Sequence, residues 1–168
     1  MPELAKRRVC WFTKTDLSIY QDDELLHKMR KAGCAQVLIG FESPTVEGLG
    51  SVALRKDCKR QRFDEYKRAI PRIRDHGITV KTYFVVGLDG HGPEVFDAFV
   101  DVVADALPWD VQMTVPTPFP GTPLYRQMQR EGRSMEKRAW EKCTLFDINS
   151  QRKKLTAAEL RKRFHQLA

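Results

Sequence analysis

Two acidic residues that directly follow apolar runs are the first candidates for chemistry. Glu42 follows the run from Val37 to Phe41, and Asp89 follows the run from Tyr83 to Leu88. Apolar runs of this length, bounded by turn residues, are typical of strands buried on both faces of a parallel sheet. Ligands bind at the carboxyl ends of such strands. We therefore expect both carboxylates at a ligand-binding edge.

Each carboxylate has two interpretations. Glu42 either binds a ligand hydroxyl, for example on a ribose, or caps the following loop, and the residues alone leave these alternatives equal. For Asp89 the structural alternative is favoured, because Asp89-Gly90 is also an ordinary turn sequence.

The remaining motifs argue against several common chemistries. The glycines from Gly87 to Gly92 match neither the dinucleotide-binding pattern nor a P-loop, and Ser43 does not lie in a nucleophile elbow. The four cysteines are widely dispersed: Cys10, Cys34, Cys58 and Cys143. No CxxC-type spacing exists, so the sequence predicts no metal site built by this chain alone.

The net charge of +7 is concentrated in the C-terminal part of the 168-residue chain. Residues 1–125 carry 17 Lys/Arg and 17 Asp/Glu, whereas residues 126–168 carry 12 and 5. A solvated helical surface is the favoured interpretation of this basic tail. The alternative is a nucleic-acid or acidic-protein interface at Arg152-Lys153-Lys154 and Arg161-Lys162-Arg163.

No membrane span or secretory signal is expected. No apolar run reaches about 18 residues, and no apolar segment follows the basic residues of the N-terminus. The sequence therefore predicts a cytoplasmic protein.

Hydrophobic patterning predicts an α/β fold with four parallel strands and crossover helices. The strands are expected at Val9–Thr13, Val37–Phe41, Ile78–Val86 and Val111–Val115. Helices are expected from Asp22 to Gly33 and from Phe63 to His76, with a kink or a restart at Pro71. A third helix is expected to have Pro93 in its first turn.

A proline-rich segment follows the fourth predicted strand. Four prolines between Pro116 and Pro123 predict an extended loop that runs to Tyr125 at the ligand-binding edge. The tail beyond it looks helical in two pieces, and the second piece opens with a capping box from Thr156 to Glu159.

In combination and order, these motifs resemble the C-terminal part of a radical S-adenosylmethionine (radical SAM) enzyme, and most closely the cobalamin-binding-type branch. The resemblance runs from roughly Arg8 to Trp140, and its motifs are Ile39 to Ser43, Asp75 to Ile78, Phe84 to Asp89 and Pro116 to Tyr125. It implies a partial (βα) barrel over residues 1–125, equivalent to strands three to six of the family core. Residues 126–168 would then be a basic helical extension.

The resemblance also implies a site. Glu42, Ser43 and Gly40 would contact the ribose of S-adenosylmethionine, and Gly87 and Asp89 would lie near the adenosine or the substrate. The substrate-side loop that closes the site would contribute Thr117, Pro118 and Thr122.

The chain departs from the family in lacking the CxxxCxxC loop that holds the 4Fe-4S cluster and the glycine-rich segment of the second strand. We therefore expect a fragment that is inactive alone. In full-length form, with cobalamin as a further cofactor of the branch, it would cleave S-adenosylmethionine and abstract hydrogen from a small-molecule substrate.

A missing N-terminal half or a partner chain would complete the barrel. The alternative is a non-catalytic binding module whose basic tail binds RNA or an acidic partner.

Overall fold

A four-stranded parallel sheet forms the centre of the molecule. The structure, a computed structural model, describes residues 2–45, 47–48, 58–134 and 140–167. The strands are β1 (Trp11–Thr15), β2 (Cys34–Glu42), β3 (Thr79–Val85) and β4 (Asp110–Thr114). Every strand pairs in parallel with its successor in the chain, in the order β1-β2-β3-β4. The predicted α/β class and strand order are confirmed.

Helices connect the strands and continue beyond the sheet. They are α1 (Pro2–Arg7), α2 (Asp23–Lys31), α3 (Cys58–Asp75), α4 (Val95–Ala106), α5 (Pro123–Arg130) and α6 (Ala157–Leu167), with 3-10 helices at Leu17–Gln21 and Trp140–Lys142. The sequence did not predict α1 or the first 3-10 helix. It also placed residues 58–62 in a loop, whereas they form the start of α3.

Two prolines lie in or beside helices. Pro71 lies inside α3, which runs from Cys58 to Asp75 without a restart. Pro93 lies before α4, not in its first turn, because a turn closed by the Val95 N–H and the Gly92 carbonyl comes first.

One face of the sheet is covered by helices and forms the core. Phe41 of β2 stacks on Tyr66 of α3 with ring centroids 3.7 Å apart, and the Tyr66 hydroxyl donates to the Phe41 carbonyl at 2.8 Å. Phe84 of β3 meets Phe41 and Phe99 edge to face. Aromatic burial of this kind dominates the energetics of a small core.

The opposite face, called here the polar face, carries mostly polar and charged side chains. The register places these residues on it: Phe12, Lys14, Gln36, Leu38, Gly40, Lys81, Tyr83, Asp110 and Gln112. We expected strands buried on both faces, and this is wrong for β3, in which buried and half-buried residues alternate. The reason is that the helices of the described chain cover only one face.

The C-terminal segment packs onto the same core. Leu155, Leu160 and Phe164 are buried within it. The predicted capping box is present, since the Thr156 N–H donates to a Glu159 carboxylate oxygen at 2.9 Å and the Glu159 N–H to the Thr156 hydroxyl at 3.2 Å. No helix within the described ranges is long and apolar enough to cross a bilayer.

Candidate functional site

Glu42 ends β2 in an unusual conformation. Its φ is +64°, in the left-handed region that costs a non-glycine residue roughly 1–2 kcal/mol. The pairing register shifts between Gly40 and Glu42, so a bulge at Phe41 puts Glu42 opposite Phe84. Glu42 is therefore the last residue of β2, not the first residue beyond it as expected. Such strain at a strand exit is typical of functional positions.

The Glu42 carboxylate lies over Gly40. A Cβ built on Gly40 would be 2.6 Å from Glu42 Oε1, so the missing side chain of Gly40 is what makes room for the carboxylate. Gly40 belongs to the polar face, and the carboxylate lies against that face. Among the described residues, no hydrogen bond or ion pair engages it, and it is half-buried. A carboxylate in this setting can accept hydrogen bonds from a ligand.

Ser43 joins the exits of β2 and β3 through His91. Both residues are 0% exposed, and Ser43 Oγ lies 2.7 Å from His91 Nε2. Gly48 covers the pair, because a Cβ on it would be 1.9 Å from His91 Nε2 and 2.1 Å from Ser43 Oγ. This buried cluster fixes the relative positions of the two strand exits.

The hydrogen bonds of His91 decide its tautomer. The backbone N–H groups of Gly87 and Leu88 donate to His91 Nδ1 at 3.1 and 3.2 Å, so Nδ1 carries no proton. The ring proton is on Nε2 and is donated to Ser43 Oγ. Burial lowers the pKa of His91 to about 4, so the ring is neutral near pH 7. His91 cannot take the Ser43 proton in this arrangement, and the pair is not a nucleophile with its base.

Asp89 is engaged by Arg133. The Arg133 guanidinium donates to both carboxylate oxygens of Asp89, through Nη1 at 2.9 Å and through Nη2. Arg133 also contacts the Glu131 carboxylate at 2.7 Å and the Gln151 carbonyl at 3.0 Å. This network attaches the C-terminal segment to the exit of β3.

Gly87 has a packing role. Its φ is +88°, and a Cβ on it would be 2.8 Å from Leu160 of α6 and 3.5 Å from Arg152 Nε. A glycine is needed here both for the backbone conformation and for the approach of these side chains.

The proline-rich segment is held by its own backbone. The Thr117 hydroxyl is buried and donates to the Val115 carbonyl at 3.2 Å, and Pro118 is buried as well. The Thr122 hydroxyl donates to the Phe119 carbonyl at 2.7 Å and accepts from the Tyr125 N–H, which caps α5. The extended loop therefore ends at Thr122 rather than Tyr125.

The polar face presents charge and an aromatic ring beside Gly40. Lys14 Nζ and Lys81 Nζ lie 5.7 and 5.9 Å from the ring centroid of Tyr83. Lys81 Nζ also pairs with Asp110 at 2.6 Å. Cations at these distances from a ring face attract it weakly, and Tyr83 is paired with Gly40 in the register of the sheet.

The described residues contain no metal-binding group. No three His, Cys, Asp or Glu side chains among them converge as ligands. Cys10 is exposed, Cys34 is buried and Cys143 is half-buried, and burial raises the pKa of the Cys34 thiol. These residues do not fit an iron–sulfur cluster, which requires converging thiolates.

The basic tail is not a uniform surface. Arg152 and Arg133 are only 8% and 9% exposed, whereas Lys153, Lys154 and Arg161 are exposed. Part of the charge predicted to face a polyanion is therefore inside the molecule.

Sequence reasoning missed His91 and Arg133 in this region, and it placed Arg152 in an exposed basic cluster although the side chain is buried. His91 stands in an Asp-Gly-His-Gly turn with no motif spacing to Ser43, which is 48 positions away. A buried arginine has no local signal either, since its neighbours Lys153 and Lys154 are exposed.

Comparison with known proteins gives a family match and several relatives. The Radical SAM superfamily model matches residues 3–103. The bacteriochlorophyllide d C-12(1)-methyltransferase of Chlorobaculum tepidum is 27% identical over 98% of this chain. The anaerobic magnesium-protoporphyrin IX monomethyl ester cyclase of Rubrivivax gelatinosus is 30% identical over 75%. The chain spans 34% and 22% of the lengths of these two proteins.

Solved structures share the fold. TsrM from Kitasatospora setae, a radical S-adenosylmethionine methyltransferase solved with tryptophan substrate and a SAM analogue, superposes with a TM-score of 0.63 at 18% identity. That superposition covers 97% of this chain and 33% of TsrM. A second TsrM structure, with cobalamin and a [4Fe-4S] cluster bound, gives a TM-score of 0.62 over 77% of this chain at 20% identity.

Proposed function

Because the chain belongs to the radical SAM superfamily, we propose that its sheet is part of the (βα) barrel of an enzyme that cleaves S-adenosylmethionine, with Glu42 binding the cofactor's ribose. In this proposal, residues 1–125 form part of the barrel, and residues 126–168 form an extension that packs against it. The enzyme acts on a small molecule bound over the polar face.

The observation that carries the proposal is the Glu42 carboxylate. It is half-buried at the exit of a central strand, it lies over Gly40, and no described residue satisfies it. A ribose offers two hydroxyl donors to such a carboxylate. A hydrogen bond to a charged group contributes roughly 1.5–3 kcal/mol.

The neighbouring residues have supporting roles. Ser43 and His91 hold the exits of β2 and β3 together, which orients Glu42 without touching the cofactor. Lys14, Lys81 and Tyr83 line the polar face beyond Gly40 and are placed to bind and orient a substrate. Asp89, Gly87, Thr117 and Thr122 shape the mouth through their packing and hydrogen bonds.

S-adenosylmethionine supplies, when reductively cleaved, the hydrogen-abstraction chemistry of the family. The described residues do not fit the 4Fe-4S cluster, so we propose that another polypeptide segment or a partner chain provides it, and cobalamin where the reaction uses one. This chain alone is then a cofactor-binding part rather than a complete catalyst.

A ligand-detected NMR titration that measures the affinity of the chain for S-adenosylmethionine tests this proposal. Glu42→Gln should weaken binding about tenfold or more, because the charged acceptor is replaced by an amide. Gly40→Ala should weaken it too, since the new Cβ meets the carboxylate that lies 2.6 Å away.

Glu24→Gln is the matched control. Glu24 is exposed on α2, on the helix-covered side of the sheet, and its only described partner is Lys28. The Glu24→Gln variant should bind S-adenosylmethionine with the affinity of the wild type. Equal affinities for the wild type and Glu42→Gln would make Glu42 a structural carboxylate and overturn the proposal.

A further inference from the structure

Arg152 is a buried cation without an acidic partner. It is 8% exposed, and its Nη2 donates to the Pro116 carbonyl at 2.7 Å. Its Nε has no hydrogen-bond partner among the described residues, although it is shielded from solvent. No carboxylate of the described chain forms an ion pair with it. A buried donor that is left unsatisfied destabilises the fold, and more so when the group is charged.

A cavity adjoins this guanidinium. It has a volume of about 450 Å³ and lies between the exits of β3 and β4, helix α5 and the segment before α6. Its apolar wall is formed by Leu88, Leu124 and Met128. Arg152 and Lys153 lie at its basic side, so the cavity combines an apolar wall with two cations.

The local charges favour an anion. Asp89 also lines the cavity, but both of its oxygens are engaged by Arg133. Lys153 Nζ is 3.8 Å from Asp89 and is otherwise exposed, so it can turn toward a ligand. Glu131 is paired to Arg133 as well, so among the described residues the nearby carboxylates are engaged by Arg133, and Arg152 feels the Asp89 charge only without direct contact.

The position of Arg152 is fixed before any ligand arrives. The Pro116 carbonyl holds one end of the guanidinium, and Gly87 leaves the space in which Nε sits, 3.5 Å from where a Cβ would be. Burial lowers the pKa of Arg152 to about 10, so it remains charged near pH 7. A preorganised cation binds an anion without further loss of side-chain entropy.

We propose that this cavity binds a small amphipathic anion, whose carboxylate or phosphate group is held by Arg152 and Lys153 and whose apolar body packs on Leu88, Leu124 and Met128. The ligand supplies the negative charge that no ion pair of the described residues provides for the Arg152 guanidinium. The site does not depend on Glu42 or on the radical chemistry, so it stands if the proposed function fails.

Calorimetric titration of the 168-residue chain with octanoate, octyl phosphate and octanamide tests the site. Octanoate or octyl phosphate should bind, whichever head group fits, and the uncharged octanamide should bind at least tenfold more weakly. Arg152→Met should lower the affinity for the acid about tenfold to a hundredfold. Arg161→Met, which removes an exposed cation from α6, should leave it unchanged.

A second measurement keeps the test decisive if Arg152→Met fails to fold. In the wild type, the Arg152 Nε–H resonance should shift when octanoate or octyl phosphate is added, and octanamide should leave it in place. Absence of binding by both acids, equal binding of octanamide, or an unmoved Nε–H resonance at saturation would overturn the proposal.

Discussion

The buried His91 makes the stability of the fold depend on pH. His91 accepts two backbone N–H groups at Nδ1 and donates from Nε2 to Ser43, an arrangement that requires the neutral ring. Burial lowers its pKa from 6.5 to about 4 in the folded chain, while the unfolded chain keeps the ordinary value. Below about pH 6.5 the unfolded state therefore binds a proton that the folded state does not.

The direction and size of the effect follow from linkage. His91 contributes stability that is fully present above about pH 6.5 and is lost as the pH falls toward 4. A difference of one pKa unit corresponds to about 1.4 kcal/mol, so the loss is on the order of 3 kcal/mol across this window. Several carboxylates with lowered pKa values, such as Asp23 and Asp110, add to the acid sensitivity. The effect of His91 must therefore be read as a difference between variants.

Urea denaturation at several pH values between about 7.5 and 4.5 measures this difference. His91→Gln should lower the free energy of unfolding by about 2 kcal/mol at neutral pH, because the Gly87 and Leu88 N–H groups lose their acceptor. On acidification, the free energy of unfolding of the wild type should then fall by about 3 kcal/mol more than that of the variant.

His27→Gln, at an exposed position on α2, should follow the wild-type pH dependence. Parallel curves for the wild type and His91→Gln would refute the argument, because His91 would then titrate alike in both states. A Nδ1-protonated ring in ¹⁵N NMR spectra near neutral pH would refute the tautomer.

Two further changes test the energetics of the sheet and its attachment, each by urea denaturation. Thr82→Val should stabilise the chain by about 1 kcal/mol, since the Thr82 hydroxyl is fully buried in β3 and finds no hydrogen-bond partner in the part of the chain that the structure describes. A lower unfolding midpoint would contradict this. Asp89→Asn should destabilise by about 2–3 kcal/mol, because it leaves the largely buried Arg133 without its bidentate partner. The exposed Asp97→Asn serves as its control, and equal stability of these two variants would show that the ion pair contributes nothing.

The fold could be predicted because its signal is local. Apolar runs and flanking glycines identified four strands and their parallel order, since a buried strand has to be apolar wherever it occurs. Strand ends were less accurate: β1 begins at Trp11 and not Val9, and β2 reaches back to Cys34. Short helices such as α1 were missed because a single turn or two carries little periodicity.

The site was predictable only in part. The position of Glu42 at a strand exit followed from the run before it, and its role in binding stays a prediction. The Ser43–His91 bond and the Asp89–Arg133 pair join residues 48 and 44 positions apart. Nothing in either local sequence specifies the other member, because tertiary folding alone brings them together.

The strand order has a consequence for how such a molecule can be enlarged. Each strand neighbours its successor, so no strand has to be inserted between two that are already paired. The edge of β1 from Trp11 to Thr15 is paired with β2 on one side only within the described chain. A further strand–helix unit added at that edge would leave the register of the inner strands unchanged. The architecture is thus modular, because whole strand–helix units can be joined at this edge while the geometry around Glu42 is kept.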